Sequence, residues 1–259
     1  MPNQEIPIAN LNIQLDKKTK HHVQSILKNE IKGIDVEHIA ITDGNAITDH
    51  AKAGYKTIYL FVKGTGKIIA AGTSYELIPE TIFLPNAVEK ITIKTAENDT
   101  LHYLKISSKL TAQDLLDLKE FPIENTQNVY YAKFIDCQSY TEKIKSPNTV
   151  SRTILPNKYI PRIAMGTVQT IGADEVGAHE HPMLEQLFLG LSKNNCIVYA
   201  DDAKVDFPEY AVLHIPLGSR HSVSVAKDET MYYVWMDFFL DKKGEVWLET
   251  HKVNDEENT

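Results

Sequence analysis

The chain has 259 residues and a net charge of −8, long enough for one large domain or two smaller ones around packed cores. No basic run or basic-aromatic stripe occurs, which argues against nucleic acid as a partner, and no apolar run approaches a membrane span. The first residues lack a secretory signal, and Cys137 and Cys196 form no CxxC, so free thiols in a reducing compartment, the cytoplasm, are expected.

In chain order, residues 16–33 read as an amphipathic helix, with Val23, Ile26, Leu27 and Ile31 at helical spacing and Gly33 as its stop. From Ile34 onward, short β-branched and aromatic runs predict strands at 57–62, 66–71, 81–84, 89–93 and 101–106. Residues 111–119 read as a helix with Thr111 as N-cap and Pro122 beyond its end. Residues 122–150, polar and containing Pro147, read as a connector. Strand signals resume at 162–171, 186–191, 195–200, 211–215, 221–226 and 230–239, and the polar residues 254–259 are expected to fray. So many short strands predict a barrel or sandwich.

The two halves resemble each other. Residues 57–62 lie over 185–190, 82–85 over 213–216, and 102–106 over 232–236, at offsets of 128, 131 and 130. Three matches in order indicate an internal duplication.

Two segments carry the chemistry: His179-Glu180-His181-Pro182-Met183-Leu184-Glu185, and Pro216-Leu217-Gly218-Ser219-Arg220-His221. On an extended chain His179 and His181 point to one side, and Glu185 has the same parity. His221 follows a tight turn in which Gly218 supplies a positive φ. Three imidazoles and one carboxylate form a donor set for a first-row divalent metal, with positions left open for substrate. The remaining histidines read as isolated or surface residues, and His214, inside an apolar strand, as a core residue. The offsets place Ala51, Ala53, Thr57 and Lys90 at the corresponding N-terminal positions, none of them a useful ligand.

HxHxxxE followed by PxGxxH resembles the two motifs of the cupin superfamily, and with the duplication the whole chain resembles a bicupin. The resemblance implies a mainly β fold: two tandem cupin (jelly-roll-type) β-barrels with a few short helices. The N-terminal barrel would span 1–110 without metal, the helix and connector 111–150, and the metal-binding barrel 151–259. His179, His181, Glu185 and His221 would hold one divalent metal per chain, zinc, manganese, nickel or iron. A homo-oligomer is also implied, with exposed sheet edges as a physical reason.

The order Arg162-Ile-Ala-Met-Gly166, His179-Glu-His181, Tyr232-Tyr-Val-Trp-Met236 is similar to that of the uronate isomerases that act on 5-keto-4-deoxyuronate and 5-deoxy-glucuronate. This implies metal-assisted isomerisation of a small sugar acid or keto-sugar. An anionic sugar would need a cation, and Arg162 and Arg220 are the candidates. Gln169 and Tyr233 are candidates to line the barrel. The general base is open among Glu175, Glu185 and a metal-bound hydroxide. Two other classes fit the same donors: an Fe-dependent dioxygenase, and a non-catalytic sugar-binding or regulatory cupin.

Overall fold

The computed structural model describes residues 5–15, 19–141 and 145–244. The N-terminal half contains β1 (Ile8–Asn10), β2 (His21–Ile26), β3 (Ile34–Thr42), β4 (Ala46–His50), β5 (Tyr55–Lys63), β6 (Gly66–Ala70), β7 (Thr73–Leu77), β8 (Thr81–Leu84), β9 (Lys90–Thr95) and β10 (Thr100–Lys109). The middle segment carries α1 (Ala112–Glu120), α2 (Ile123–Gln127), β11 (Tyr130–Lys133), a 3-10 turn at Phe134–Asp136 and β12 (Ser139–Tyr140). The C-terminal half contains β13 (Val150–Leu155), β14 (Ile163–Ile171), β15 (Asp174–His179), β16 (Leu184–Gly190), β17 (Asn195–Ala200), β18 (Ala203–Pro208), β19 (Ala211–Ile215), β20 (His221–Val225) and β21 (Thr230–Phe239).

These strands form two pairs of antiparallel sheets with matching orders. In the N-terminal half, β2-β3-β10-β5-β8-β11 packs on β4-β9-β6-β7. In the C-terminal half, β12-β13-β14-β21-β16-β19-β1 packs on β15-β20-β17-β18. The edges are exchanged: β1 pairs with β19, and β11 pairs with β8. β1 of the N-terminal half thus extends the C-terminal sheet beyond β19, and β11 of the middle segment extends the N-terminal sheet beyond β8.

Alternation along each strand divides the apolar side chains into layers. Phe61, Phe83 and Tyr103 fill the N-terminal barrel, and Val198, Phe207 and Val223 fill the C-terminal one. The opposite faces of the larger sheets meet in a shared core, where Leu60, Leu104 and Ile106 join Leu189, Val234 and Met236. Tyr232 Oη donates to Glu80 at 2.6 Å across the same boundary.

Most of the strands predicted between residues 57 and 239 form where expected, within a few residues. The predicted helix over 16–33 does not form within the described residues. Residues 21–26 are a strand whose burial alternates, and Val23, expected on a buried helical stripe, is half exposed. Leu27, Asn29 and Gly33 all have positive φ and turn the chain back into β3. The helix at α1 forms with Thr111 as its N-cap, in a capping box with Asp114. Residues 122–150 supply a helix and two edge strands, β11 and β12, as well as loops. The segment 254–259 lies outside the described residues. Among the described residues no helix is long and apolar enough to cross a membrane.

One buried polar contact has a measurable consequence. His38 and His102 are fully buried on the face that meets the other half, with His38 Nε2 3.1 Å from His102 Nδ1. His38 Nδ1 lies 3.4 Å from Gln24 Oε1, and Gln24 Nε2 donates to Asn10 O in β1. Burial pushes His38 down to about 3 and His102 to about 4, aided by neighbouring positive charge. Both rings are neutral in the folded protein and charge only on unfolding below their ordinary value of about 6.5. The folded state therefore keeps its full stability above that pH. It loses about 1.4 kcal/mol per pH unit for each such ring as pH falls towards the folded values. Urea titrations between pH 7 and 4.5 should show this slope, and His38→Gln should reduce it; an unchanged slope would contradict the assignment.

Candidate metal centre

His179 ends β15 and His221 begins β20, and the two are direct cross-strand partners. A register irregularity between Val176 and His179 re-aims the end of β15, as bulges do. His181 follows two residues later, before Pro182. The ligating atoms of His179, His181 and His221 all lie within 4.8 Å of one another. Ring centroids are 4.4 Å apart for His179 and His221, and 4.9 Å for His179 and His181.

Two rings are oriented by the backbone. His179 Nδ1 donates to Gly177 O at 2.7 Å, and His221 Nδ1 donates to Ser219 O at 3.2 Å. A carbonyl only accepts, so each Nδ1 carries the proton and each Nε2 presents a lone pair. This is the outer support that metal-ligating imidazoles use. The carbonyl of Ser219 is set by the turn after Pro216, where Gly218 has φ 73° and Ser219 N donates back to Pro216 O. Burial and then the neighbouring His179 lower His221 to about 4, so it is neutral at pH 7 and ready to ligate. The three residues fit a divalent ion.

Glu185 does not join them. Its Oε2 lies 2.8 Å from His214 Nε2, and His214 Nδ1 lies 3.0 Å from Glu30 Oε2. The chain bends at Pro182, so parity counted from His181 does not carry into β16. On β16, Phe188 faces the barrel interior while Leu187 and Leu189 face the shared core. Glu185 falls on the outer face and Gln186 on the inner one. The sequence offered Glu185 and Gln186 as adjacent polar residues in an otherwise apolar strand, with no signal for which faces inward.

The four proposed substrate contacts also separate. Arg162 is committed elsewhere: its Nε donates to Asp114 Oδ1 at 2.7 Å and its Nη2 to Asp114 Oδ2 at 2.9 Å. Gln169 pairs with Tyr232 and shares the outward face of Met165, so it does not line the barrel. Tyr233 does, with its ring 4.8 Å from that of Phe188. Arg220 is exposed on the turn beside His221, and its backbone N–H donates to Asp201. Of the candidate bases, Glu175 is exposed on β15 and Glu185 is held by His214. His214 itself is a buried residue bridging two carboxylates.

The N-terminal barrel has the same topology with other chemistry. Ala200 pairs with His221, and Ala70 with Ile91, at an offset of 130. The counterpart of His221 is therefore Ile91, not Lys90. Asp49 pairs with Ile91 where His179 pairs with His221. Asp49 is engaged by Lys105 at 2.5 Å and by Tyr59 Oη at 2.8 Å. Against 130, the sequence offset of 128 is two residues short and that of 131 one residue long, because equally apolar neighbours do not fix a unique alignment.

No family model matches the sequence, and no curated protein matches it. Solved structures do match in fold. A cupin 2 conserved barrel domain protein from Leptotrichia buccalis superposes with a TM-score of 0.62 at 15% identity, covering 92% of this chain and 98% of its own. A deletion mutant of oxalate decarboxylase from Bacillus subtilis gives 0.63 at 11% identity, covering 93% and 78%. Vicilin from Corylus avellana (hazelnut) gives 0.64 at 9% identity, covering 90% and 82%. The chain has the two-barrel cupin fold.

Proposed function

We propose that this chain is a metal-dependent enzyme that isomerises a small sugar acid or keto-sugar in its C-terminal barrel. The observation that carries the reading is the triad of His179, His181 and His221, with two rings aimed by backbone carbonyls. When bound, a divalent ion would withdraw electron density from adjacent carbonyl and hydroxyl oxygens of the sugar, acidifying the proton between them.

The protein residues divide the remaining work. Three neutral imidazoles leave the positive charge of the ion uncompensated, which favours an anionic substrate oxygen. Phe188, Phe207 and Tyr233 close the barrel behind the triad and exclude water from that side. Arg220, exposed next to His221, offers a guanidinium to a substrate carboxylate.

Elemental mass spectrometry of the purified chain, followed by NMR detection of isomerisation of uronates and keto-sugars, tests this reading. Zinc, manganese or nickel near one per chain with interconversion of isomers is expected. Iron with oxygen uptake and no isomerisation would replace the isomerase by an oxygenase, and absence of metal would remove the mechanism. Arg220→Ala should raise KM for an anionic sugar about tenfold, equivalent to about 1.4 kcal/mol, with kcat little changed. An unchanged KM in steady-state assays would remove Arg220 from the site.

A further inference from the structure

A cleft opens at the end of the N-terminal barrel, where Asp49 and Ile91 stand in place of His179 and His221. Asp49, Lys56, Thr57, Tyr59, Asn86 and Glu89 contribute to its wall. Asp49 is fully engaged. Its Oδ2 accepts from Lys105 Nζ at 2.5 Å and from Tyr59 Oη at 2.8 Å, and its Oδ1 accepts from His50 N at 2.9 Å. The Lys105 ammonium balances its charge, so Asp49 does not bar an anion from the cleft.

Lys56 has no such arrangement. It is half-buried and makes no hydrogen bond or ion pair with any described residue. Glu89 is exposed and makes no ion pair with it. Burial lowers the pKa of Lys56, and no opposite charge offsets the effect. A desolvated ammonium without a counter-ion is costly, and an anion in the cleft would supply one. Two oxygen groups of the same wall are also unused. Thr57 Oγ1 has no partner among the described residues. Asn86 Nδ2 donates to Asn125 O at 2.9 Å and to Asn128 O, so its amide oxygen faces away from α2. That oxygen, Asn86 Oδ1, is buried with no hydrogen-bond partner. A cation lacking an anion and an acceptor lacking a donor, in one cleft, match a carboxylate that also carries a hydroxyl.

We propose that this cleft is a second, metal-independent ligand site that takes a small hydroxy acid, with Lys56 pairing with the carboxylate and Asn86 Oδ1 accepting from the hydroxyl. The site stands whether or not the histidines of the other barrel hold an ion. The duplicated barrels then differ in chemistry: one offers a donor set to a metal, the other a fixed ammonium to an acid.

The test is calorimetric titration of the metal-free chain with glycolate, acetate and inorganic phosphate. Glycolate should bind at one site per chain. Acetate, which lacks the hydroxyl, should bind about 3–10-fold more weakly, the worth of one neutral hydrogen bond. Lys56→Met should weaken glycolate binding about 10–100-fold, the worth of a charge-assisted contact. Lys67→Met, exposed on β6, should bind as wild type does. Ligand-free Lys56→Met should melt at or above the wild-type temperature, because its ammonium has no partner to lose. A large drop in melting temperature would reveal an internal partner for Lys56 and overturn the proposal. Equal affinity for all three anions would overturn the hydroxy-acid assignment. Unchanged glycolate binding in Lys56→Met, or none in wild type, would overturn the site.

Discussion

His181→Ala is expected to lower affinity for the divalent ion more than about 100-fold, beyond the 10–100-fold of outer-partner changes, because it removes a donor outright. Of the three imidazoles His181 is the most informative to remove. His221 is 2% exposed and packs near Phe188, so its truncation would also open a cavity. His181 is half-buried beyond the end of β15, in the segment that leads to Pro182. Its loss leaves the β15–β20 pairing and the barrel core in place. The effect should also appear as stability. An ion at 1,000 times its Kd stabilises a protein that binds it only when folded by about 4 kcal/mol. Wild-type melting should therefore rise on adding metal while that of His181→Ala should not. Elemental mass spectrometry and paired melting curves check both parts. Full metal content in the variant would mean that the triad is not the site.

The largest expected loss of stability lies away from the metal. Arg162→Ala should destabilise the fold by about 3–5 kcal/mol, the cost of breaking a buried pair from one side. Asp114 is 1% exposed and is held through two oxygens by Arg162. The same carboxylate closes the capping box at the start of α1, accepting from Thr111 N at 2.7 Å. Arg162 sits at φ 62°, an uncommon conformation for a non-glycine residue, and its guanidinium also donates to Phe239 O. The guanidinium therefore joins α1 to the end of β21. Burial raises the Asp114 pKa, but the hydrogen bonds from Arg162 and Thr111 outweigh it and hold the group below the usual carboxylate range. A depressed carboxylate stabilises the fold above its unfolded value of about 3.9, and that contribution is lost as pH falls through the folded value. The gap between wild type and Arg162→Ala should accordingly narrow in acid. Urea unfolding at pH 7 and below about pH 3 measures this; a stable variant with a raised KM would return Arg162 to the substrate.

How much of this was legible in advance depended on whether the pattern was local. The capping box at Thr111 is local: a threonine, then an acidic residue three positions on, specifies a helix start without help from distant chain. The turn at Gly218 is local for the same reason. The strands of the second half were legible because each is a short β-branched or aromatic run between turn residues. Residues 21–26 invite a helical reading because Val23 and Ile26, three apart, share a helical face, whereas in the strand they fall on opposite faces, one exposed and one buried. Only pairing with β3, together with the positive-φ residues at 27 and 29, decides between them.

The site divides along the same line. The amino-acid sequence determined the fold class and the three histidines, since donor type and two-residue spacing are intrinsic to the chain. The tertiary structure decided that Glu185 faces His214, that Arg162 binds Asp114, and that Gln186 meets Asp237. The physical reason is parity. A strand presents alternate residues to opposite faces, and one irregularity between His179 and β16 exchanges those faces for every residue beyond it. Composition and spacing are blind to that exchange, because a polar residue is equally at home at a site, in an ion pair or beside solvent. Packing the two halves together selects one face, and the chemistry of every position beyond Pro182 follows from it.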